Sequence, residues 1–237
     1  AYDFYEPRNI GTKSRNDRNV TKIGLTSPSK GVQEYSLAAG EQSQDYLDLA
    51  GVDNPVTFVA EPGEIVEPDI VAGGTWRHHF VYVDYDSGGF SAGIAAGSNW
   101  EPTGDLVSYS FYNNDAASDA NGWNSVGDEI SGGNRSTPQL PAFTVPATDG
   151  VYRLRFKQDW SNIDPQGDAD GKFGDFKENG GQIIDVLLKV GNPDTCIENM
   201  KGENRKVKTV YDLAGRKLGR IASPGIYIAD GKKMLVK

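Results

Sequence analysis

Trp76-Arg77-His78-His79-Phe80-Val81-Tyr82-Val83-Asp84-Tyr85-Asp86-Ser87-Gly88-Gly89-Phe90 is the stretch whose reading decides the fold. Phe80 to Val83 is an unbroken apolar run of aromatic and β-branched residues. It is too short for a helix and reads as a buried strand. The run passes into Asp-x-Asp-x-Gly-Gly-Phe. On extended backbone Asp84 and Asp86 point to the same side, the glycines permit a sharp turn, and Phe90 returns to the core.

The same pattern recurs on both sides of this stretch. Val20 to Leu25 and Leu106 to Tyr112 alternate polar and apolar residues, and Val151 to Phe156 alternates with arginine on one face. Pro55 to Ala60, Glu64 to Val71, Ala142 to Val145 and Ile183 to Val190 are further short strand candidates, each bounded by turn residues. Helical periodicity is nearly absent; the best helical candidate, Gln42 to Val52, is short and ends against Gly51 and Pro55. About eight short strands with one face each to bury predict an all-β fold, an antiparallel two-sheet β-sandwich of jelly-roll-like type.

The 237 residues are enough for a core and for one or two domains. With 29 Gly and 12 Pro, about one residue in six favours a turn, which fits many short strands. No run approaches the roughly 20 apolar residues of a spanning helix, so a transmembrane segment is not expected. The net charge of −9 argues against a nucleic-acid partner, because phosphate contact needs a basic surface. Cys196 is the single cysteine, so no disulfide forms within the chain.

Charge divides the chain. Residues 1–190 carry 14 basic and 28 acidic side chains, a net of −14, whereas residues 191–237 carry 10 and 5, a net of +5. So sharp a change of sign marks a boundary between units. Gly191-Asn192-Pro193-Asp194 is turn chemistry at that point, and Glu203-Asn204-Arg205-Lys206 reads as linker. The expected organisation is a sandwich domain over 1–190, a linker over 191–206, and a small β element over 207–237. The first 19 residues, polar and rich in Arg and Asn, read as a loose arm.

Two acidic loops are candidate Ca²⁺ sites, because a hard cation wants clustered oxygens on a flexible loop. One carries Asp84 and Asp86; the other, after Trp160, carries Asp168 and Asp170 ahead of Gly171. The second is not an EF-hand: with Asp170 at loop position 5, position 12 falls on Lys177 instead of a bidentate Glu. The competing reading for both loops is that the Asp side chains cap their own backbone in a turn.

Val81-Tyr82-Val83-Asp84-Tyr85-Asp86-Ser87-Gly88-Gly89-Phe90 resembles the V-W-I-D-Y-N-x-D-G-x-F signature of GEVED-type domains. Gly150-Val151-Tyr152-Arg153-Leu154-Arg155-Phe156 is similar to their G-x-Y-R-M-R-V strand. Gly181-Gln182-Ile183-Ile184-Asp185-Val186 stands where G-E-V-E-D-Y belongs; Gly181 and Asp185 match, and Gln182, Ile184 and Val186 depart from it. The resemblance covers roughly 75–190. It implies a β-sandwich of secreted bacterial proteins, often attached to hydrolases or adhesins, and no single activity.

The tail carries a second resemblance. Val210-Tyr211-Asp212-Leu213-Ala214-Gly215-Arg216, then Gly225-Ile226-Tyr227, then Lys233-Met234-Leu235-Val236-Lys237 look like the C-terminal sorting signal of type IX secretion in Bacteroidetes. Three short strands turning at Ala214-Gly215 and Asp230-Gly231 would form a small β-meander. The resemblance implies export through the periplasm to the cell surface or medium, with the secretion machinery as a partner of the tail. The competing reading is a β-hairpin extension of the main domain.

Signatures of catalysis are sparse. His78 and His79 are adjacent and face opposite ways on a strand, so at most one joins a given site. The chain has no H-E-x-x-H and no Cys/His cluster suited to zinc. A carboxylate pair could hydrolyse a glycoside, but among 33 Asp and Glu residues no pair stands out.

Signs of binding are stronger. Trp76, Trp100, Trp123 and Trp160 adjoin polar, Gly- or Asn-rich segments. Trp123 lies in Asn121-Gly122-Trp123-Asn124, within a long segment from about Asn113 to Gln139, and long loops are often functional. An aromatic face covers the C–H face of a sugar while amides and carboxylates bond its hydroxyls. Trp123 and Trp100, with Tyr112 and Asn113 nearby, are therefore the candidate glycan-binding residues; Trp76 and Trp160 flank strong strands and read as core edges. The expected function is a non-catalytic, extracellular or cell-surface carbohydrate-binding module. The alternatives are a structural or adhesin module and a glycoside hydrolase or its accessory domain.

Overall fold

In the computed structural model the described residues are 5–8, 13, 15–114, 120–132, 139–167 and 176–192, with the backbone of four strands beyond them. Two units are present, Ala1–Pro193 and Asp194–Lys237. The division falls where the charge changes sign.

The first unit is a sandwich-like fold of two main sheets. The smaller sheet holds β1 (Val20–Ser27), β2 (Gly31–Ser36), β5 (Ile65–Ala72) and β12 (Phe143–Thr144) in the order β12-β5-β1-β2. The larger holds β3 (Tyr46–Asp48), β4 (Thr57–Ala60), β6 (His78–Asp84), β9 (Leu106–Tyr109), β13 (Gly150–Asp159) and β14 (Gln182–Val190). Its order is β3-β14-β13-β6-β9, with β4 also on β14. Ile23 and Leu25 of β1 and Val66 and Ile70 of β5 meet Val81, Val83, Leu154, Phe156, Ile184, Val186 and Leu188 between the sheets. This is the core that alternation demands: every second residue of each strand points inward.

The pairing is antiparallel except at one edge. β3 and β4 lie end to end along β14 and run parallel to it, Leu47 opposite Ile184 and Phe58 opposite Leu188. Helix is confined, among the described residues, to the single turn α1 (Ala39–Gln42). The helical candidate over Gln42 to Val52 is overridden: Tyr46 to Asp48 gain ladder partners on β14 and bury Leu47, which a helix turn there would forgo.

The other face of the larger sheet is buried as well, and this is what positions the site. All seven residues of β6 are buried. Phe80, Tyr82 and Tyr109 pack under Phe90, Tyr5 and Ile163. Beside them the arginine face of β13 is covered. Arg155 and Asp185 are cross-strand partners with fully buried side chains. Arg155 donates Nε to Asp185 Oδ1 at 2.6 Å and a terminal N–H to Oδ2 at 2.7 Å. Arg153 reaches the same carboxylate at 2.8 Å and Asp48 at 2.6 Å.

The first residues are not loose where they are described. The Tyr5 ring stacks 4.0 Å from the Arg153 guanidinium, and its carbonyl accepts a bond from Arg155. Buried Lys13 donates to Asn19 Oδ1, the Gln42 carbonyl and Gln182 Oε1, each at 3.2 Å. A polar composition concealed the arm's role as cover.

In the second unit, β15 (Val210–Tyr211), β16 (Lys217–Leu218), β17 (Gly225–Ala229) and β18 (Lys232–Val236) form an antiparallel sheet in the order β16-β15-β17-β18. It has four strands where three were expected. The expected turns and the linker from residue 193 on, including Cys196, lie outside the described residues.

Two predictions follow from the buried polar groups. Asp185→Asn leaves the buried Arg155 guanidinium without its counter-charge and Arg153 with Asp48 alone, and should cost about 3–5 kcal/mol in urea unfolding. His79 is held neutral: burial, opposed by its bond to Gln158 and aided by Arg77, lowers its pKa to about 3. The unfolded histidine titrates near 6.5, so it binds the extra proton first. Stability is then full above pH ~6.5 and falls by up to about 1.4 kcal/mol per pH unit as pH drops toward 3. His79→Gln should flatten the pH 5–6.5 part of that slope in thermal melts.

Candidate functional site

A groove of about 440 Å³ opens beside the covered face of the larger sheet, within the range of small-ligand sites. One wall begins just past β9. Tyr112 and Trp123 form an antiparallel bridge, each N–H bonding the other's carbonyl at 2.9 Å. Residues so paired present their side chains on one face, and both rings line the groove. The pairing needs glycine before Trp123: a Cβ on Gly122 would stand 2.6 Å from Phe111 Cζ and 2.8 Å from the Tyr112 carbonyl oxygen.

Trp123 ends β10 (Gly122–Trp123), which pairs with β11 (Glu129–Ile130). Asn124 closes that hairpin. Its Oδ1 accepts from the N–H of Val126 at 3.1 Å and of Asp128 at 3.0 Å, and its Nδ2 donates to Asp128 Oδ2 at 3.0 Å.

The opposite wall is the turn between β7 (Ala92–Ile94) and β8 (Pro102–Gly104). Ser98 holds this turn by accepting, on Oγ, the N–H of Trp100 at 3.1 Å and of Glu101 at 2.8 Å. Trp100 does not line the groove. Its ring lies against Gly127, where a Cβ would be 2.9 Å from Trp100 Cε2, and its carbonyl accepts the Tyr109 hydroxyl. It joins the β7–β8 turn to the β10–β11 hairpin and so fixes the distance between the walls.

The groove's polar groups divide by use. Asn113 lines it, but its side chain accepts from Ser161 Oγ at 3.2 Å and donates to the Ala120 carbonyl at 3.4 Å. It braces the wall. The Tyr112 hydroxyl, the Trp123 indole N–H and the Asn99 amide make no hydrogen bond among the described residues. Burial raises the Tyr112 pKa, so its hydroxyl stays protonated. Among the described residues no charged side chain lines the groove. Two aromatic faces, a phenol, an indole N–H and an amide can receive a neutral polyhydroxylated ligand: ring faces for C–H groups, polar tips for hydroxyls.

The Asp84–Phe90 loop is built otherwise. Asp84 accepts the Tyr5 hydroxyl at 2.6 Å and the Gly89 N–H at 3.3 Å on Oδ2, and the Asp86 N–H at 3.2 Å on Oδ1. Asp86 caps Gly88 N–H at 2.8 Å. Burial pushes the Asp84 carboxyl up, but these bonds outweigh it and hold its pKa below the ordinary value. The two carboxylates thus close their own turn. Among the described residues no three His, Cys, Asp or Glu side chains gather as a metal site. Asp168 and Asp170 lie outside the described residues.

His78 and His79 do face opposite ways. His78 stacks on Phe111 at 5.0 Å, on the covered face. The buried His79 ring meets Gln158 Oε1 at 3.3 Å.

Of the four residues singled out for ligand binding, the groove gathers Tyr112, Asn113 and Trp123. Sequence reasoning missed Asn99 and the Ala95–Ser98 turn facing them. The only signal there was a run of small residues ending in Gly97-Ser98-Asn99.

The chain matches no protein-family model, no curated protein and no solved structure.

Proposed function

We propose that this protein is a non-catalytic carbohydrate-binding module of the cell surface or extracellular medium, and that the Tyr112–Trp123 groove is its glycan site. The observation that carries the reading is the bridged aromatic pair. Two rings are fixed side by side by a pair of backbone bonds, facing a wall that carries the Asn99 amide. Hydrolysis of a glycoside would require a carboxylate pair at the scissile bond, and the described lining supplies none. The address outside the cell rests on the resemblance of residues 75–190 to GEVED-type domains and of 207–237 to the type IX sorting signal. On that reading the tail serves export, and the glycan contact belongs to the first unit.

Neutral glycans on an array, followed by calorimetric titration of the hits, test the proposal. Trp123→Ala should weaken binding at least tenfold, about 1.4 kcal/mol, with an unchanged far-UV spectrum. Tyr112→Phe removes only the hydroxyl and should weaken it less. A blank array with the intact protein, or full binding by Trp123→Ala, would overturn the reading.

A further inference from the structure

The groove is not the only place where paired aromatic rings reach the surface. Trp76 and Trp160 meet edge to face, centroids 5.4 Å apart, and Trp76 is 45% exposed. Trp160 is held from below and from the side: His78 lies 5.6 Å from it and stacks in turn on Phe111, and the Arg18 guanidinium stands 5.7 Å from its ring. Trp76 has φ 57°, in the left-handed region where a bulky side chain is disfavoured. The chain therefore holds a large ring in a strained conformation and leaves nearly half of it in water. Strain of this kind is a mark of functional positions.

Two routes connect this pair to the groove. Phe111, under His78 on one side, lies under Gly122 on the other, next to Trp123. Ser161, adjacent to Trp160, bonds both the N–H and the Oδ1 of Asn113 in the groove wall at 3.2 Å. The two aromatic pairs are thus linked twice, through the packing of Phe111 and through the Ser161–Asn113 bonds.

We infer that Trp76–Trp160 is a second station of the same site, and that the ligand is the interior of an extended polysaccharide chain. This rests on the carbohydrate reading of the groove. One sugar unit occupies one station only. A chain that lies in the groove and continues to the second pair stacks on both, and the second contact forms at high effective concentration once the first is made. Affinity then rises with chain length, through Trp76.

The test is calorimetric titration with cello-, manno- and xylo-oligosaccharides from disaccharide to hexasaccharide. The variants are Trp76→Ala and Trp76→Gly; glycine relaxes the left-handed backbone, so loss of fold does not confuse the result. The intact protein should bind the longest member of its preferred series at least tenfold more tightly than the shortest. Both Trp76 variants should remove that gain and leave the shortest ligand's affinity unchanged, whereas Trp123→Ala should lower affinity at every length. Equal affinity for short and long chains, or a length dependence that survives Trp76→Gly, would overturn the second station and leave the groove standing. No binding at any length would overturn both.

Discussion

Asp185 sits in the middle of the larger sheet, fully buried, and holds Arg153 and Arg155 of the neighbouring strand. Removing three charges from water is costly, so the arrangement stands only because nearly every polar atom is answered. Arg155 spends its remaining N–H groups on the carbonyls of Pro165 and Tyr5. One side chain thereby ties β14, the segment after Trp160, and the arm to the same point. Lys157 repeats the device by donating to the carbonyls of Asn162 and Asp164 at 2.8 and 2.6 Å. The layer that covers this face is hung on cations that rise from β13, and the groove lies at the margin of that layer. Such a ladder also selects register: slipping β13 by one residue would drive both arginines into the apolar core between the sheets.

This explains what could be read from the amino-acid order and what could not. Alternation located β1, β9 and β13, and apolar runs located β4, β5 and β6, whereas the six-residue β2, which buries none of its side chains fully, went unread. Alternation shows which residues share a face; it does not show what lies on that face. Arg153-Leu154-Arg155-Phe156-Lys157 looks like a strand with one wet side, and its wet side proves to be an ion-paired interior. Strands of two or three residues, such as β3, β7 and β10, have no period to detect. The parallel seating of β3 and β4 on β14 left no local trace either, because each partner is more than a hundred residues away.

The site was legible to the extent that its chemistry is local. Trp123 beside amides in a long connection, and Tyr112 at the end of an alternating run, were found by residue type. That Tyr112 and Trp123 pair directly was not visible, because the bridge depends on Gly122 clearing Phe111. Asn113 was found, but its employment as a brace depends on Ser161, which follows it by 48 positions. Trp100 has the right chemistry in the wrong place: its ring is needed to hold two turns together. A site whose walls are pinned by Asn124, Ser98 and Trp100 loses little freedom when a ligand enters, so more of the contact energy remains as affinity.

The central place of β14 has a consequence for how the chain is made. Tyr46 to Asp48 and Thr57 to Ala60 leave the ribosome long before residues 182–190, the strand they must pair with, exist. At ordinary elongation speeds that gap lasts on the order of 10 s. During it Leu47 and Phe58 have no sheet to join, and the anion that Arg153 and Arg155 require has not been translated. Such distant pairings also make for slow closure once synthesis ends. The edge of the larger sheet formed by β3 and β4 can therefore close only after residue 190 has been made.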